Sequence, residues 1–460
     1  MHFTKHFFLA FCLALAGCAV ADPTDDYVNT QMKRLNIPGL VLLVVQDGKV
    51  LKRQAYGRAD IEKDTPMTTE MRLDLGSIGK TFTATMIMQL VDEKKVDLDK
   101  SIQTYLPDAP DAWKAVTVRQ CLSHTSGLPE YALVPGVGLL DSFDEKKWKD
   151  TMYKLPLDFE PGLMFAYSNT NFKMLGQIIE RLRGKSYPDA LQAFVCKPAG
   201  MTKTSFDKKD APTGYFFSEG RHQNLGYGGA GYMNSDGGEF TTVDDLYAFS
   251  QALASGKVLK PERVKEMQTA ARTASGRKIP YGLGWFSDSV EGNPRITHGG
   301  NSVGFAATLS MYPKQKLTIV MLCNVYDVTG DDFALGLARV LAPELKSKPL
   351  AESPDPDVAR TEKLKAGLMA LTTGDGQFAD FHEDMKKRLA TGRGRMVMGG
   401  YRNLAGMTSL NYIDSREDDP DTVFRYRATT AQASWIVEFV VDKSGKIYSI
   451  RRLPDPGKPA

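Results

Sequence analysis

The pattern of apolar and polar positions predicts four elements near the start of the chain. Asp25 to Leu35 follows helical spacing, and two apolar-rich runs, Gly39 to Gln46 and Lys49 to Tyr56, are separated by Asp47-Gly48. An Asp-Gly pair between two such runs is a strong signal for a β-hairpin. Further on, Thr81 to Glu93 carries apolar residues at helical spacing on more than one face. We therefore expect a helix, a hairpin and then a buried helix.

The chain from about residue 98 to residue 267 has a helical pattern interrupted by many loops. The predicted helices are Val116 to Leu122, Asn171 to Arg183, Tyr187 to Val195, Thr242 to Leu253 and Pro261 to Met267. Strand patterns return at Tyr281 to Ser287, Arg295 to His298, Gly304 to Tyr312 and Leu317 to Asn324, followed by a helix at Asp331 to Leu341. Strands at both ends with helices between them predict one antiparallel sheet, built from distant segments and flanked by helices.

A second, smaller unit is predicted beyond the proline-rich segment 346–357, which we interpret as a linker. The predicted elements are helices at Val358 to Leu371 and Phe378 to Leu389, then strands at Thr408 to Ser415, Thr422 to Thr429, Ala433 to Val441 and Lys446 to Leu453. The expected fold class is α+β, with a main domain over residues 25–345 and a C-terminal α+β domain over residues 358–456. The helix pair and strand meander resemble the cone-like fold of nuclear-transport-factor-2-like domains.

Composition narrows the class of protein. A hydrophobic content of 42% and a charged content of 25% are ordinary for a soluble globular protein. The formal net charge of +3, without a stripe of Lys and Arg interleaved with aromatic residues, gives no support for a nucleic-acid partner. The length of 460 residues is enough for two domains once an export signal is removed.

Residues 1–21 have the pattern of a secretory signal. A short cationic stretch, Met1 to His6, precedes the apolar run Phe7 to Leu15, which is too short to span a bilayer as a stable helix. Two forms of processing are open: cleavage after Ala19-Val20-Ala21, or lipoprotein processing that leaves a lipidated Cys18 at the new N-terminus. In both cases we expect a bacterial protein that is exported, either periplasmic or anchored to the membrane through that lipid.

The cysteines and histidines indicate no metal site. Two of the five cysteines lie in the signal, and the other three, Cys121, Cys196 and Cys323, are single and form no C-x-x-C pair. Buried free thiols or one disulfide would account for them. The sequence has no H-E-x-x-H motif. We expect neither a metal nor a cofactor.

The main candidate for chemistry is Ser77-x-x-Lys80, which stands at the head of the predicted buried helix. Three residues make nearly one helical turn, so the two side chains share a face. A serine hydroxyl needs a base beside it to become a good nucleophile. A lysine buried near the positive end of a helix dipole can have its pKa lowered enough to serve as that base.

Two further motifs follow in order, and together with the first they carry a resemblance. Tyr167-Ser168-Asn169 precedes a predicted helix, and His298-Gly299-Gly300 ends a predicted strand. The order Ser-x-x-Lys, Tyr-x-Asn, His-x-Gly resembles the serine hydrolases built like class C β-lactamases and penicillin-binding DD-peptidases. Supporting signatures lie at 122–128, 198–201 and 237–246. The resemblance covers roughly residues 25–343 and implies the β-lactamase/penicillin-binding-protein-like fold.

The resemblance also implies roles for these residues. Ser77 attacks a carbonyl and forms an acyl-enzyme, while Lys80 and Tyr167 share the proton transfer, with the formal base left open. Asn169 hydrogen-bonds Lys80 or the substrate amide. The backbone N–H groups of Ser77 and Asn301 form the oxyanion hole, in which one donor typically contributes on the order of 3 kcal/mol to lowering the barrier.

The third motif is expected to bind substrate through His298, Gly300 and Asn301. The glycines carry no Cβ, so substrate can lie close to the strand edge. Histidine stands where a lysine would give a fixed positive charge, and a histidine is cationic only part of the time near neutral pH. This version of the motif resembles DD-carboxypeptidases, D-aminopeptidases and related esterases at least as much as efficient β-lactamases.

The sequence therefore predicts an exported serine hydrolase that cleaves an amide or ester bond in a small-molecule or peptide substrate through an acyl-Ser77 intermediate. It is most like a DD-peptidase, D-aminopeptidase or β-lactamase-related hydrolase. Two alternatives remain: a small-acyl esterase of the same fold, and a penicillin-binding-like sensor or scaffold without turnover.

Overall fold

The computed structural model describes residues 22–455 except 139–140, 142–143, 225, 227–233, 375–377, 391–393 and 395–397. The predicted signal over residues 1–21, including Cys18, lies outside the described residues. No helix in the part described is long and apolar enough to cross a membrane. Cys121, Cys196 and Cys323 are buried free thiols.

The strands form one large sheet and one smaller C-terminal sheet, with two short strand pairs. The strands are β1 Gly39–Gln46, β2 Lys49–Asp60, β3 Thr65–Pro66, β4 Leu73–Asp74, β5 Phe216–Ser218, β6 Arg221–Gln223, β7 Phe240–Thr241, β8 Phe286–Val290, β9 Asn293–Ser302, β10 Phe305–Tyr312, β11 Leu317–Cys323, β12 Met407–Asp418, β13 Asp421–Thr430, β14 Ser434–Val441 and β15 Ile447–Pro454. The large sheet has the order β3-β2-β1-β11-β10-β9-β8, and its named pairs are antiparallel. The C-terminal sheet has the order β12-β13-β14-β15.

The centre of the large sheet joins the two ends of the main domain, as the sequence pattern predicted. The strand β1 is almost wholly apolar and buried, and its residues Leu40 to Gln46 pair with Cys323 to Leu317 of β11. The hairpin to β2 turns at Asp47 and Gly48, whose φ angles of 50° and 74° suit the tight turn that an Asp-Gly pair favours.

The helices are α1 Pro23–Arg34, α2 Gly79–Asp92, α3 Val118–Leu122, α4 Glu145–Met152, α5 Asn169–Arg183, α6 Tyr187–Leu191, α7 Lys197–Ala199, α8 Val243–Ala254, α9 Pro261–Met267, α10 Gly330–Leu341, α11 Val358–Thr373 and α12 Glu383–Ala390. Helices α1 to α10 belong to the main domain, and α11 and α12 belong to the C-terminal unit. Helix α2 is central, because eleven of its residues are buried and its apolar side chains belong to the largest core cluster. A buried helix of this kind holds its first turn in a defined position.

The strand predicted at Tyr281 to Ser287 lies further toward the C-terminus in the structure, where β8 begins at Phe286. The preceding residues approach α2 closely: a Cβ built on Gly284, where φ is 85°, would lie 2.4 Å from Ala84 Cβ. This close packing takes Tyr281 into the core and out of the sheet, and its hydroxyl reaches the functional site.

The C-terminal unit consists of α11 and α12 packed on the four-stranded sheet, with their own apolar cluster. Helix α12 starts at Glu383 and not at Phe378 as predicted, because Phe381 forms a bridge with Ile447 and is held in an extended conformation. The segment 346–357 packs against this unit, with Ser353 N donating to the Tyr412 carbonyl at 3.0 Å.

The two units contact each other through a buried ion pair. The guanidinium of Arg277 in the main domain binds the carboxylate of Asp421 at 2.7 Å, and their side chains are only 11% and 3% exposed. The same guanidinium lies 3.9 Å from the ring centroid of Tyr448, whose hydroxyl donates to the Leu163 carbonyl at 3.4 Å. The C-terminal unit therefore touches the loop that leads to Tyr167.

Candidate active site

Ser77 lies in a 3-10 turn, Gly76–Ile78, directly before α2. Lys80, in the first turn of α2, donates a hydrogen bond from Nζ to Ser77 Oγ at 3.0 Å and a second to the Asp236 carbonyl at 2.6 Å. The Lys80 side chain is fully buried, whereas Ser77 is partly exposed. The nucleophile candidate thus faces solvent while its partner stands behind it in the core.

Tyr167 completes this cluster from a loop that precedes α5. Lys80 Nζ lies 5.2 Å from the ring centroid of Tyr167. Burial raises the pKa of the phenol, while the Lys80 charge and hydrogen bonds with Ser77 and Lys80 act in the opposite direction. Since the net pKa shift is upward, the phenol keeps its proton at neutral pH. The structure therefore brings Ser77, Lys80 and Tyr167 together, although Tyr167 is 90 residues from Ser77 in the chain.

His124 supports Tyr167 by stacking. The two rings lie 4.1 Å apart between centroids at an interplanar angle of 29°. The buried His124 ring accepts hydrogen bonds at Nδ1 from Ser168 N at 3.0 Å and from Asn171 Nδ2 at 3.1 Å, so the proton of a neutral ring resides on Nε2. These two partners belong to the tyrosine loop and to α5, so His124 links its own loop to both.

In the described residues Asn169 hydrogen-bonds Glu130 and not Lys80, which was the first of the two partners that the resemblance implied. Its side-chain Nδ2 donates to Glu130 Oε1 at 3.2 Å, and its backbone N donates to Glu130 Oε2 at 2.6 Å. Lys80 Nζ donates instead to the Asp236 carbonyl, and a bond from Asn169 to a substrate amide stays a prediction. A carboxylate at the N-terminus of α5 is favourable because the helix dipole is positive there. Sequence reasoning missed Glu130, which follows the supporting signature at 122–128 by two residues.

A buried acid lies beneath the Ser77 turn. Both carboxyl oxygens of Glu239 are buried, and a Cβ built on Gly79 would lie 2.3 Å from Glu239 Oε2. Burial raises the pKa of this carboxyl well above its usual range, and the charges of Asp74 and Asp236 raise it further. Glu239 is therefore protonated and neutral, and it adds no negative charge next to Lys80.

The strand β9 supplies an open edge beside Ser77. In the described sheet, β8 pairs with β9 from Asn293 to Thr297, and β9 continues beyond this pairing to Ser302. A Cβ built on Gly300 would lie 2.8 Å from Ser77 N, and one built on Gly76 would lie 2.8 Å from Asn301 N. The backbone N–H groups of Ser77 and Asn301 are therefore neighbours, as an oxyanion hole requires. The Asn301 side chain points elsewhere, with Nδ2 donating to the carbonyls of Tyr326 and Val328 at 2.6 and 2.9 Å.

His298 is buried in this edge and is held by the protein on both ring nitrogens. Its Nδ1 lies 2.7 Å from the Gly299 carbonyl, which can only accept, so Nδ1 carries the proton and Nε2 accepts from the Tyr281 hydroxyl at 2.9 Å. Burial lowers the pKa of His298 to about 3, and the Lys80 charge adds to this effect. The expectation of a partly cationic histidine near neutral pH is therefore wrong for this side chain, which is neutral there.

We expect Gly300→Ala to impair strongly the hydrolysis that the sequence predicts, because the added Cβ would lie 1.9 Å from the Leu75 carbonyl oxygen, and a backbone atom cannot move aside cheaply. The strand edge and the Ser77 turn must separate, which takes the two N–H groups apart and lowers kcat by on the order of 10²-fold or more. Gly292→Ala is the matched control, since a Cβ there meets no atom within 4 Å, although its φ of 75° strains any side chain. Circular dichroism should show both variants folded, and an active Gly300→Ala would contradict this geometry.

The described residues contain no group of three or more His, Cys, Asp or Glu side chains arranged to hold a metal ion. The site is instead a cluster of a serine, a lysine and a tyrosine beneath an open strand edge, and this fold with this cluster is that of the β-lactamase-like serine hydrolases. Residues 24–343 match the beta-lactamase family model. The chain belongs to the beta-lactamase family.

Individual relatives agree with this assignment. Penicillin-binding protein 4* of Bacillus subtilis is 27% identical over 327 residues, which cover 64% of this chain and 70% of that protein. The structure of an octameric penicillin-binding protein homologue from Pyrococcus abyssi has a TM-score of 0.63 at 21% identity and covers 94% of this chain and 96% of that one. That coverage extends the likeness in fold to the C-terminal unit. A D-amino acid amidase from Ochrobactrum anthropi SV3 has a TM-score of 0.60 at 23% identity, covering 70% of this chain and 96% of that one.

Proposed function

We propose that this protein is an exported serine hydrolase that cleaves an amide or ester bond through an acyl-Ser77 intermediate. The observation that carries the proposal is the hydrogen bond of 3.0 Å from the buried Lys80 to the partly exposed Ser77, beside two neighbouring backbone N–H groups. These are the nucleophile, the proton acceptor and the oxyanion donors that acyl transfer needs.

The reaction proceeds in two halves. Ser77 Oγ attacks the substrate carbonyl and loses its proton to the Lys80–Tyr167 pair, while the carbonyl oxygen gains charge between Ser77 N and Asn301 N. The C–N or C–O bond then breaks, and the leaving group takes that proton. Water attacks the acyl-enzyme by the same route in reverse and releases the acid. The raised pKa of Tyr167 keeps its phenol protonated, which suits this residue as the proton donor to the leaving group.

The neutral His298 favours substrates that do not depend on a fixed positive charge in the third motif. We infer that uncharged esters and amides, including amides of D-amino acids, are hydrolysed faster than anionic β-lactams. The name of one structural neighbour, a D-amino acid amidase, supports the D-amino amide part of this substrate range. Residues 1–21 support export, and mass analysis of the mature N-terminus distinguishes cleavage before Asp22 from a lipid-modified Cys18.

The substrate range can be tested by measuring kcat/KM for D-phenylalanine amide, a D-Ala-D-Ala peptide, p-nitrophenyl acetate and nitrocefin. We expect turnover of the ester or of a D-amino amide, and a value for nitrocefin at least about tenfold lower, because the neutral His298 gives no fixed positive charge at the position where a lysine would. Efficient nitrocefin turnover would contradict the substrate preference. A stable adduct without turnover of any of the four compounds would support a penicillin-binding sensor instead.

A further inference from the structure

A cavity with apolar walls opens next to the oxyanion position. Its volume is about 460 Å³, and Asn301 lies in its wall. The apolar side chains that line it are Leu133, Val134, Pro135, Phe216, Val303 and Tyr326. Asp141 also reaches the rim, where its carboxylate accepts a hydrogen bond from Gly138 N at 2.8 Å. Leu133 and Tyr326 are 47% and 40% exposed, and exposed apolar side chains around a cavity are typical of a surface that binds a ligand.

The walls of this cavity are held in place before any ligand binds. The rings of Phe216 and Tyr326 stack with centroids 5.0 Å apart at an interplanar angle of 30°. The Asn301 side chain donates to the carbonyl of Tyr326 and to that of Val328, which ties this wall to the strand edge. One residue therefore contributes its backbone N–H to the oxyanion position and its side chain to the cavity wall.

The position of the cavity along β9 decides which half of a substrate it receives. Tyr167 lies near the His298 end of the open edge, with 6.4 Å between the two ring centroids. The cavity lies at the other end, beyond Asn301. A leaving group must depart next to the residues that protonate it, which are Lys80 and Tyr167 in the proposed reaction. The acyl half of the substrate therefore points toward the cavity.

We propose that this cavity is a subsite for a bulky apolar acyl group, either an aliphatic chain or an aromatic ring. This inference rests on the proposed function, because the acyl half of the substrate is defined by the acyl-Ser77 reaction. It adds the class of acyl group that the enzyme accepts. Moving a methylene group from water to an apolar surface is favourable, and the free energy gained corresponds to about a fourfold increase in kcat/KM for each methylene buried. A carboxylate placed in the cavity wall would lose its bound water when an apolar acyl group packs against it, and this cost would cancel the gain.

The test compares p-nitrophenyl hexanoate with p-nitrophenyl acetate, which share a leaving group. We expect wild-type kcat/KM to favour the hexanoate by about tenfold or more. Leu133→Asp and Tyr326→Asp should each lower this ratio by about tenfold, and both positions are exposed enough to accept the change without unfolding. Leu51→Asp is the matched control, because Leu51 is an apolar residue on β2 that is 51% exposed, and it should leave the ratio unchanged.

A binding measurement separates this inference from the proposed function. Calorimetric titration of Ser77→Ala with hexananilide and acetanilide does not need catalysis, and we expect the longer acyl chain to bind about tenfold more tightly, with the difference lost in Ser77→Ala/Leu133→Asp. Equal binding of the two anilides, or an ester ratio that neither aspartate variant lowers, would overturn the subsite. If wild type turns over neither ester but the binding preference is present, the subsite is supported and the proposed hydrolysis fails.

Discussion

Replacing Ser77 by alanine is expected to remove covalent labelling by a fluorophosphonate and to lower kcat/KM by on the order of 10⁴-fold or more. The substitution leaves Lys80 and Tyr167 in place but removes the atom that forms the acyl bond. Intact mass of the purified protein should show one adduct on wild type and none on Ser77→Ala. Because the Ser77 side chain is partly exposed and not packed in the core, the variant should unfold at the same denaturant concentration as wild type.

Ser255→Ala is the matched control, since Ser255 is an exposed serine at the end of α8 and should not affect labelling. Peptide mapping adds a second check, because Ser302 lies only a few residues beyond the third motif. Ser302 is buried, with its hydroxyl donating to Asp74 Oδ2 at 2.7 Å. An adduct on Ser302, or labelling that persists in Ser77→Ala, would assign the nucleophile to another residue.

The second large effect concerns the stability of the protein in acid. The folded-state pKa of His298 is about 3, well below the value of about 6.5 in an unfolded chain. Between these two values the unfolded chain binds a proton that the native protein does not. Above pH 6.5 His298 therefore makes its full contribution to the free energy of unfolding. This contribution is lost as the pH is lowered toward 3, at up to about 1.4 kcal/mol per pH unit.

Urea unfolding of wild type and His298→Gln between pH 4 and pH 8 measures this contribution. Glutamine cannot take up a proton, so we expect the variant to be less stable than wild type at pH 8 but to lose less stability as the pH falls. His222→Gln, which removes a half-buried histidine on the β5–β6 hairpin, controls for the loss of any histidine. Parallel curves for wild type and His298→Gln would show that His298 is not a buried neutral group.

Much of the site was predictable because its parts depend on local spacing. Ser77 and Lys80 are three residues apart in a segment that forms successive helical turns, so their contact follows from the chain itself. The apolar run that became α2 predicted its burial, and the Asp-Gly pair predicted the β1–β2 hairpin. The order of the three motifs was sufficient to indicate the family, to which the match over residues 24–343 assigns the chain.

Other features depend on partners far away in the chain. The pairing of Asn169 with Glu130 joins a loop and a helix end that are 39 residues apart, and no local pattern indicates it. The boundary of β8 moved because Gly284 packs on α2, which is a contact between distant segments. In the same way, Phe381 left the predicted helix to pair with Ile447.

The sequence alone determined the family, the nucleophile candidate and the order of the main elements, because helical and strand periodicity and motif spacing are properties of neighbouring residues. The tertiary structure alone decided that His298 is neutral, that Asn301 holds the wall of an apolar cavity, and that Arg277 joins the two units through Asp421. Each of these depends on how far water is excluded and on which polar groups meet, and both are set by segments that come together only in the folded chain.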